Sequence, residues 1–187
     1  MDYSIILTVL MGIGLSASSG FRIFIPFLLI SIASLTGYLS LSDSFSWIAT
    51  YPALITFGVA TVLEIAAYYI PWVDNVLDTI ASPIAVIAGI ILTASVITGI
   101  SPLLKWALAI IAGGGVAATI QSFTGIVRAT SSVTTAGIGN PAVSSIELGS
   151  SVLLAVIALL VPVIAFAIVV FLVFFSARFL FRKLKQN

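Results

Sequence analysis

Hydrophobic positions along the chain group into five long apolar segments separated by short polar connections. The first runs from about Ser4 to Gly37, longer than the ~20 residues that one membrane crossing needs. It reads either as one long tilted helix or as a pair of half-helices broken near Ser18–Gly20, a re-entrant arrangement. The second runs from about Ile48 to Ile70. The polar stretch Pro71-Trp72-Val73-Asp74-Asn75 follows and extends through Asp78. Ser82-Pro83 reads as a serine N-cap with proline at the first helical position, opening a third segment that ends near Gly99. Ser101-Pro102 repeats that signal for a fourth, which runs to about Thr130. A connection rich in Ser, Thr and Gly leads to Glu147, where the fifth begins and continues through Phe175.

This pattern predicts an all-α, polytopic helical membrane protein of about five transmembrane segments, forming a single integral membrane domain over residues 1–187. Composition supports the same reading. Of 187 residues, 61% are hydrophobic and 7% charged, against about 25% charged in soluble domains. Mean hydropathy is +1.31. Surface this apolar matches lipid as the solvent. The N-terminus lacks a basic n-region and reads as the start of a retained helix. Residues 177–187 form a basic tail. Arg178, Arg182, Lys183 and Lys185 follow the last apolar run, so the C-terminus is expected to be cytoplasmic, with the chain in the cell's inner (plasma) membrane. Five crossings then place Lys105 inside, and the Asp74–Asp78 stretch and the Gly-Asn-Pro connection outside.

The chain has no cysteine and no histidine. A disulfide, a thiolate site and a histidine-based catalytic triad are therefore excluded, and neither a metal nor another cofactor is expected. With a net charge of +1 and no basic face, nucleic acid is not an expected partner. Membrane lipids surround such a chain, a homo-oligomer is the expected assembly, and other membrane subunits are an alternative.

Against this background a few polar positions stand out. Arginine at membrane depth costs roughly 2.5–3.5 kcal/mol on insertion scales. Arg22 nevertheless lies in the first segment, behind Ser18-Ser19-Gly20, where freed backbone N–H groups would cradle an anion. The bland alternative is a snorkelling arginine, or a structural ion pair with Glu64 in the second segment. Glu64 must be protonated, paired or wet at that depth. Gln121, Gly125 and Arg128 share one helix face, and Gly113-Gly114-Gly115 before them invites a kink or a close contact. Ser144 and Glu147 fit a capping box for the fifth helix, next to the turn-forming Gly139-Asn140-Pro141. Asp74, Asn75 and Asp78 either line a vestibule or serve helix capping. Small residues spaced by four, as in Gly12/Ser16/Gly20, Gly114/Ala118, Gln121/Gly125 and Ser95/Gly99, mark close helix packing.

Three blocks carry a family resemblance: Gly14 to Pro26, Glu64 with the Pro-Trp-Val-Asp stretch, and Arg128 to Glu147 with its Gly-Ile-Gly-Asn-Pro run. In these the chain resembles the bacterial multi-pass membrane family of unknown function DUF4126, over nearly its whole length. Members often carry an acidic residue after the last glutamate, where Leu148 stands, and a basic residue before the proline at Pro83, where Ser82 stands. The resemblance implies an integral membrane protein of this size and no particular activity. Gly20-Phe21-Arg22 with Pro26 also faintly resembles the arginine-bearing turn of DedA-type lipid-carrier transporters, over a handful of residues.

The expected function is a small transporter or channel. Its polar, midplane site for an anionic or proton-coupled solute would draw on Ser19, Gly20, Arg22, Glu64, Gln121, Arg128, Asn140 and Glu147. The alternative is a structural or accessory subunit of a larger membrane complex. A membrane enzyme is not expected, because no nucleophile–base pair is recognisable.

Overall fold

The computed structural model describes residues 3–70 and 73–184; for Asp74, Asn75, Asp78 and residues 180–184 the description covers the backbone alone. Among the described residues the chain is helical throughout. Eight α-helices run in order: α1 Tyr3–Ser19, α2 Phe24–Leu35, α3 Tyr51–Tyr68, α4 Val73–Val96, α5 Pro102–Leu108, α6 Gly115–Thr135, α7 Asn140–Leu160 and α8 Pro162–Leu184. A 3-10 helix, Asp43–Ala49, precedes α3, and a π-helical turn, Ala109–Gly114, joins α5 to α6. Five helices are long and apolar enough to cross a membrane: α3, the C-terminal part of α4, the continuous α5–α6 rod, α7 and α8. The expected number of crossings holds, but its members differ from the five sequence segments at both ends of the chain.

The first segment is broken, not one tilted helix. After α1 the chain turns through Gly20 to Ile23 and starts again as α2, whose 12 residues span about 18 Å against a ~30 Å hydrocarbon core. Pro26 falls in the first turn of α2, where a missing N–H has no partner to lose. Both outer ends of the pair lie together. Gly99, just beyond α4, approaches Ile5 near the start of α1. Beyond α2, the Ser42 N–H donates to the Ser95 carbonyl (2.8 Å) and Lys105 Nζ donates to the Ser42 hydroxyl (2.9 Å). Helices α1 and α2 thus form a re-entrant pair whose tip is the Gly20–Ile23 turn.

The fifth segment is two helices. It begins at Asn140, before Glu147, and Val161-Pro162 ends α7 and starts α8. Proline cannot continue the ladder of α7, and the chain reverses there. The paired positions Gly14 with Ala158 and Ala165, and Phe123 with Phe175 and Phe179, run α8 back along α7. This reversal places the end of α8 with the α6–α7 turn and the start of α4, opposite Lys105. The expectation that Lys105 shares a side with the basic tail, and that the Gly-Asn-Pro connection lies across from it, is therefore overturned. Two further boundaries move. Ser82-Pro83 does not open a helix, since α4 runs unbroken from Val73 with Pro83 inside it. Ser101-Pro102 does open one, the Ser101 hydroxyl accepting from the Leu104 N–H.

Helices α1, α4, α6 and α7 meet where side chains are smallest. A Cβ on Gly89 would stand 2.6 Å from the Ser16 hydroxyl and 2.7 Å from Ala117 Cβ, and one on Gly20 would stand 2.7 Å from Ile120 Cβ. Such backbone approach is how helices gain contact in lipid. Hydroxyls bridge the same seams. Ser16 donates to the Gly113 carbonyl, Thr93 to that of Gly12 (3.1 Å), and Ser18 and Ser151 exchange bonds with each other's carbonyls (2.9 and 3.0 Å). Of the kink or close contact expected at the glycine triplet, the close contact is present: Gly113 packs against Thr93 and Gly89, at the end of a π-helical turn. Two of the small-residue pairs do not mark close helix contacts: a Cβ on Gly125 would meet open space, and Gly99 lies in the connection after α4 with φ +75°.

The lack of native cysteine makes the topology directly testable. Ser4→Cys and Ser40→Cys should react with an impermeant maleimide from one side of the membrane, and Ile138→Cys from the other; a crossing first segment would separate Ser4 from Ser40. Gly89→Val should lower stability by about 1–3 kcal/mol, read as a drop in the detergent melting midpoint, whereas Gly149→Ala, which faces open space, should leave it unchanged.

Candidate functional site

The turn between α1 and α2 brings the embedded charges together. Arg22 is 1% exposed. Its Nη2 donates to the Ser144 carbonyl (3.1 Å) and stands 3.3 Å from Glu147 Oε2. Arg128, from α6, ion-pairs with the same carboxylate oxygen. Both guanidinium groups lie over the ring of Tyr68, the last residue of α3, with their carbons 3.9 and 4.1 Å from its centroid. The negative face of the ring offsets part of the cost of placing two like charges near each other. Two buried arginines therefore share one buried carboxylate and one aromatic ring.

Glu64 does not form the ion pair with Arg22 that residue order offered as an alternative. It is half-buried. Its Oε1 accepts from the Ile23 N–H (2.8 Å) and its Oε2 from the Phe24 N–H (3.1 Å). The N-cap position of α2 is held by Ile23, whose side chain cannot cap. Glu64, reaching from α3, satisfies those orphan donors and sits at the positive end of the α2 dipole. The N–H groups of Gly20, Phe21 and Arg22, nearest the Ser18–Gly20 break, bond back to carbonyls of α1, and those left at the start of α2 are taken by a carboxylate of the chain itself.

The remaining positions separate into two groups. Glu147 and Ser144 belong to the cluster, but not as a capping box: α7 starts at Asn140, so both lie inside the helix, and the Ser144 hydroxyl donates to the Tyr68 carbonyl (3.4 Å). Asn140 Nδ2 donates to Ser132 across the α6–α7 turn (2.8 Å), which ties that turn together. Ser19 donates to the Ser16 carbonyl (2.7 Å) within its own helix, and Gly20 serves the contact with Ile120. Gln121 is buried two turns before Arg128. Asp74, Asn75 and Asp78 fall in the first two turns of α4, with side chains outside the described residues.

Depth also needs correction. Tyr68 ends α3, Ser144 lies in the second turn of α7 and Arg128 lies two turns before the end of α6. The cluster therefore sits toward one end of the helices and not at their middle. Tyr68 was legible only as a neighbour of Glu64 at i+4. Thr61, one turn earlier on the same face of α3, gave no signal at all, yet its buried hydroxyl has no hydrogen-bond partner.

The chain belongs to the family described as Domain of unknown function (DUF4126), whose model matches residues 9–182. No curated protein and no solved structure matches it.

Removing one member of a buried ion pair typically costs about 3–5 kcal/mol, because the partner charge is left uncompensated. Glu147→Ala should therefore destabilise the protein far more than Ser145→Ala, and adding Arg128→Gln should recover part of the loss. A double-mutant cycle on detergent melting midpoints checks this: additive effects would show that Arg128 and Glu147 are energetically independent.

Proposed function

We propose that this protein is a small transporter or channel-like protein of the bacterial inner membrane, with the Arg22–Arg128 cluster as its site for an anionic or proton-coupled solute. The observation that carries this reading is the state of Arg22. Its Nε and Nη1 are buried and have no hydrogen-bond partner, although the rest of the side chain is held firmly. A guanidinium left with open donors in a low-dielectric setting is suited to a further acceptor. The re-entrant pair fits the same use, since irregular backbone at membrane depth occurs where it lines a site or is buried in protein.

The basic tail orients the molecule. Its end of the bundle is cytoplasmic on the positive-inside argument, which puts the buried arginine cluster nearer the cytoplasmic side and leaves the outer ends of α1 and α2 on the far side. A homo-oligomer in the membrane remains the expected assembly.

Flux assays test the reading. Proteoliposomes of the full chain should pass at least one of chloride, phosphate or a small carboxylate faster than protein-free vesicles. Arg22→Gln should reduce that flux about tenfold to a hundredfold, the worth of one charge-assisted hydrogen bond. Arg22→Lys should recover little of it, because a point charge does not reproduce the planar fork. No flux of any of these anions, together with a stoichiometric membrane partner on purification, would favour the accessory-subunit alternative.

A further inference from the structure

Glu64 suggests how the site would be controlled. Its two carboxylate oxygens accept the two backbone N–H groups that a bound anion would use at the start of α2. Arg22, the residue immediately before those donors, keeps two buried N–H-bearing nitrogens without partners. Arg22 and Arg128 both lie within Coulombic reach of the Glu64 carboxylate. Thr61, one helical turn from Glu64 on the same face, adds a buried hydroxyl without a partner. Two backbone N–H groups therefore hold a carboxylate where a bound anion would sit, and the residue before those donors and a residue one turn from Glu64 carry buried polar atoms without partners. That carboxylate is tethered to α3 and only half-buried, so it has a route out that Glu147, 3% exposed and shared by two arginines, lacks.

We propose that Glu64 is a built-in competitor for the solute anion, and that the anion enters only as Glu64 leaves the N-terminus of α2 carrying a proton. This rests on the anion-site reading given above. Its balance is simple. The free carboxylate takes up one proton and becomes a neutral acid, its two N–H bonds pass to the incoming anion, and the charge of the site is unchanged. A neutral acid loses little by facing the apolar surface of α3, whereas a bare carboxylate there would be costly. One anion and one proton then load together, and loading is favoured at lower pH. The charged groups that bear on this step are Arg22 from the α1–α2 turn and Arg128 from α6. Glu147 on α7 is held by those two arginines, and Tyr68 lies one turn on along α3. Asp43 in the 3-10 helix lies toward the opposite end of α3, and the Asp74 and Asp78 side chains of α4 are outside the described residues.

Formate, a carboxylate probe ionised at both pH values used, tests this with the purified full chain in detergent. Binding is read as a saturable rise in melting midpoint at about pH 5 and about pH 8, values chosen above the free glutamate range of ~4.3. Wild type should bind formate more tightly at the lower pH. Glu64→Ala should bind it at both, at least about tenfold tighter than wild type at the higher pH, the worth of one charge-assisted hydrogen bond. Glu64→Ala with Arg22→Gln should bind it at neither. Glu64→Gln, whose amide oxygen still accepts one N–H, covers the case in which the alanine variant does not fold. It should bind formate with no pH dependence. Equal formate binding by wild type and both Glu64 variants at each pH would overturn the proposal, as would no formate binding by either variant. If wild-type liposomes still pass anions in either of these cases, the anion-site reading survives and Glu64 is only the cap of α2.

Discussion

Glu147 is the point on which the packing of this protein depends. Two arginines from different parts of the chain reach one carboxylate, and none of the three is solvated. Transferring those charges out of water is unfavourable by several kcal/mol each, and only good geometry compensates. The bundle supplies it by fixing three elements against one another: the re-entrant tip through Arg22, α6 through Arg128 and α7 through Glu147. Tyr68 adds the end of α3. Apolar helices in lipid gain little from hydrophobic association with one another, so a charge cluster of this kind does much to specify which faces meet.

The second constraint is backbone approach. Glycine and small hydroxyl residues line the contacts among α1, α4, α6 and α7, and hydroxyl-to-carbonyl bonds close the same seams. These seams hold α1 in register, so the tip of the re-entrant pair is delivered to the cluster. Glu64 then completes the N-terminus of α2 from outside that helix. The N–H groups of Gly20 to Phe24 at the break all have partners, which lowers the cost of the broken segment in an apolar setting.

Much of this was legible in residue order. The break at Ser18–Gly20 could be read from polar and helix-weakening residues in an otherwise apolar run, and the embedded charges from their rarity. What was not legible depended on distance across the fold. An ion pair of Arg22 with Glu64 was one alternative that residue order offered, but the geometry joins Arg22 to Glu147. Ser144 and Glu147 match a capping box in spacing, yet the helix starts four residues before Ser144, because Asn140-Pro141 already supplies a start. Ser82-Pro83 has the same sequence form as Ser101-Pro102, and only the second begins a helix. In the first case the preceding turns of α4 continue through the proline, which local propensity does not forbid where the lost bond is made up elsewhere. The split at Val161-Pro162 was hidden by uninterrupted hydropathy, since lipid-facing residues on both sides of the corner are equally apolar.

The π-helical turn at Ala109–Gly114 has a consequence for how this family can tolerate insertions and deletions. A π turn accommodates about one residue more than the α-helical phase would. Removing one residue there would leave the α5–α6 rod apolar, long enough to span and close to regular. It would also rotate everything downstream by about 100° about the helix axis, the angle between successive residues. Arg128 would then leave the face that meets Glu147 and Tyr68, and Gly20 would lose the Ile120 surface it packs against. Chain length in this turn is thus under a phase constraint that hydropathy does not reveal, and a compensating insertion between Gly115 and Gln121 would be required to restore it.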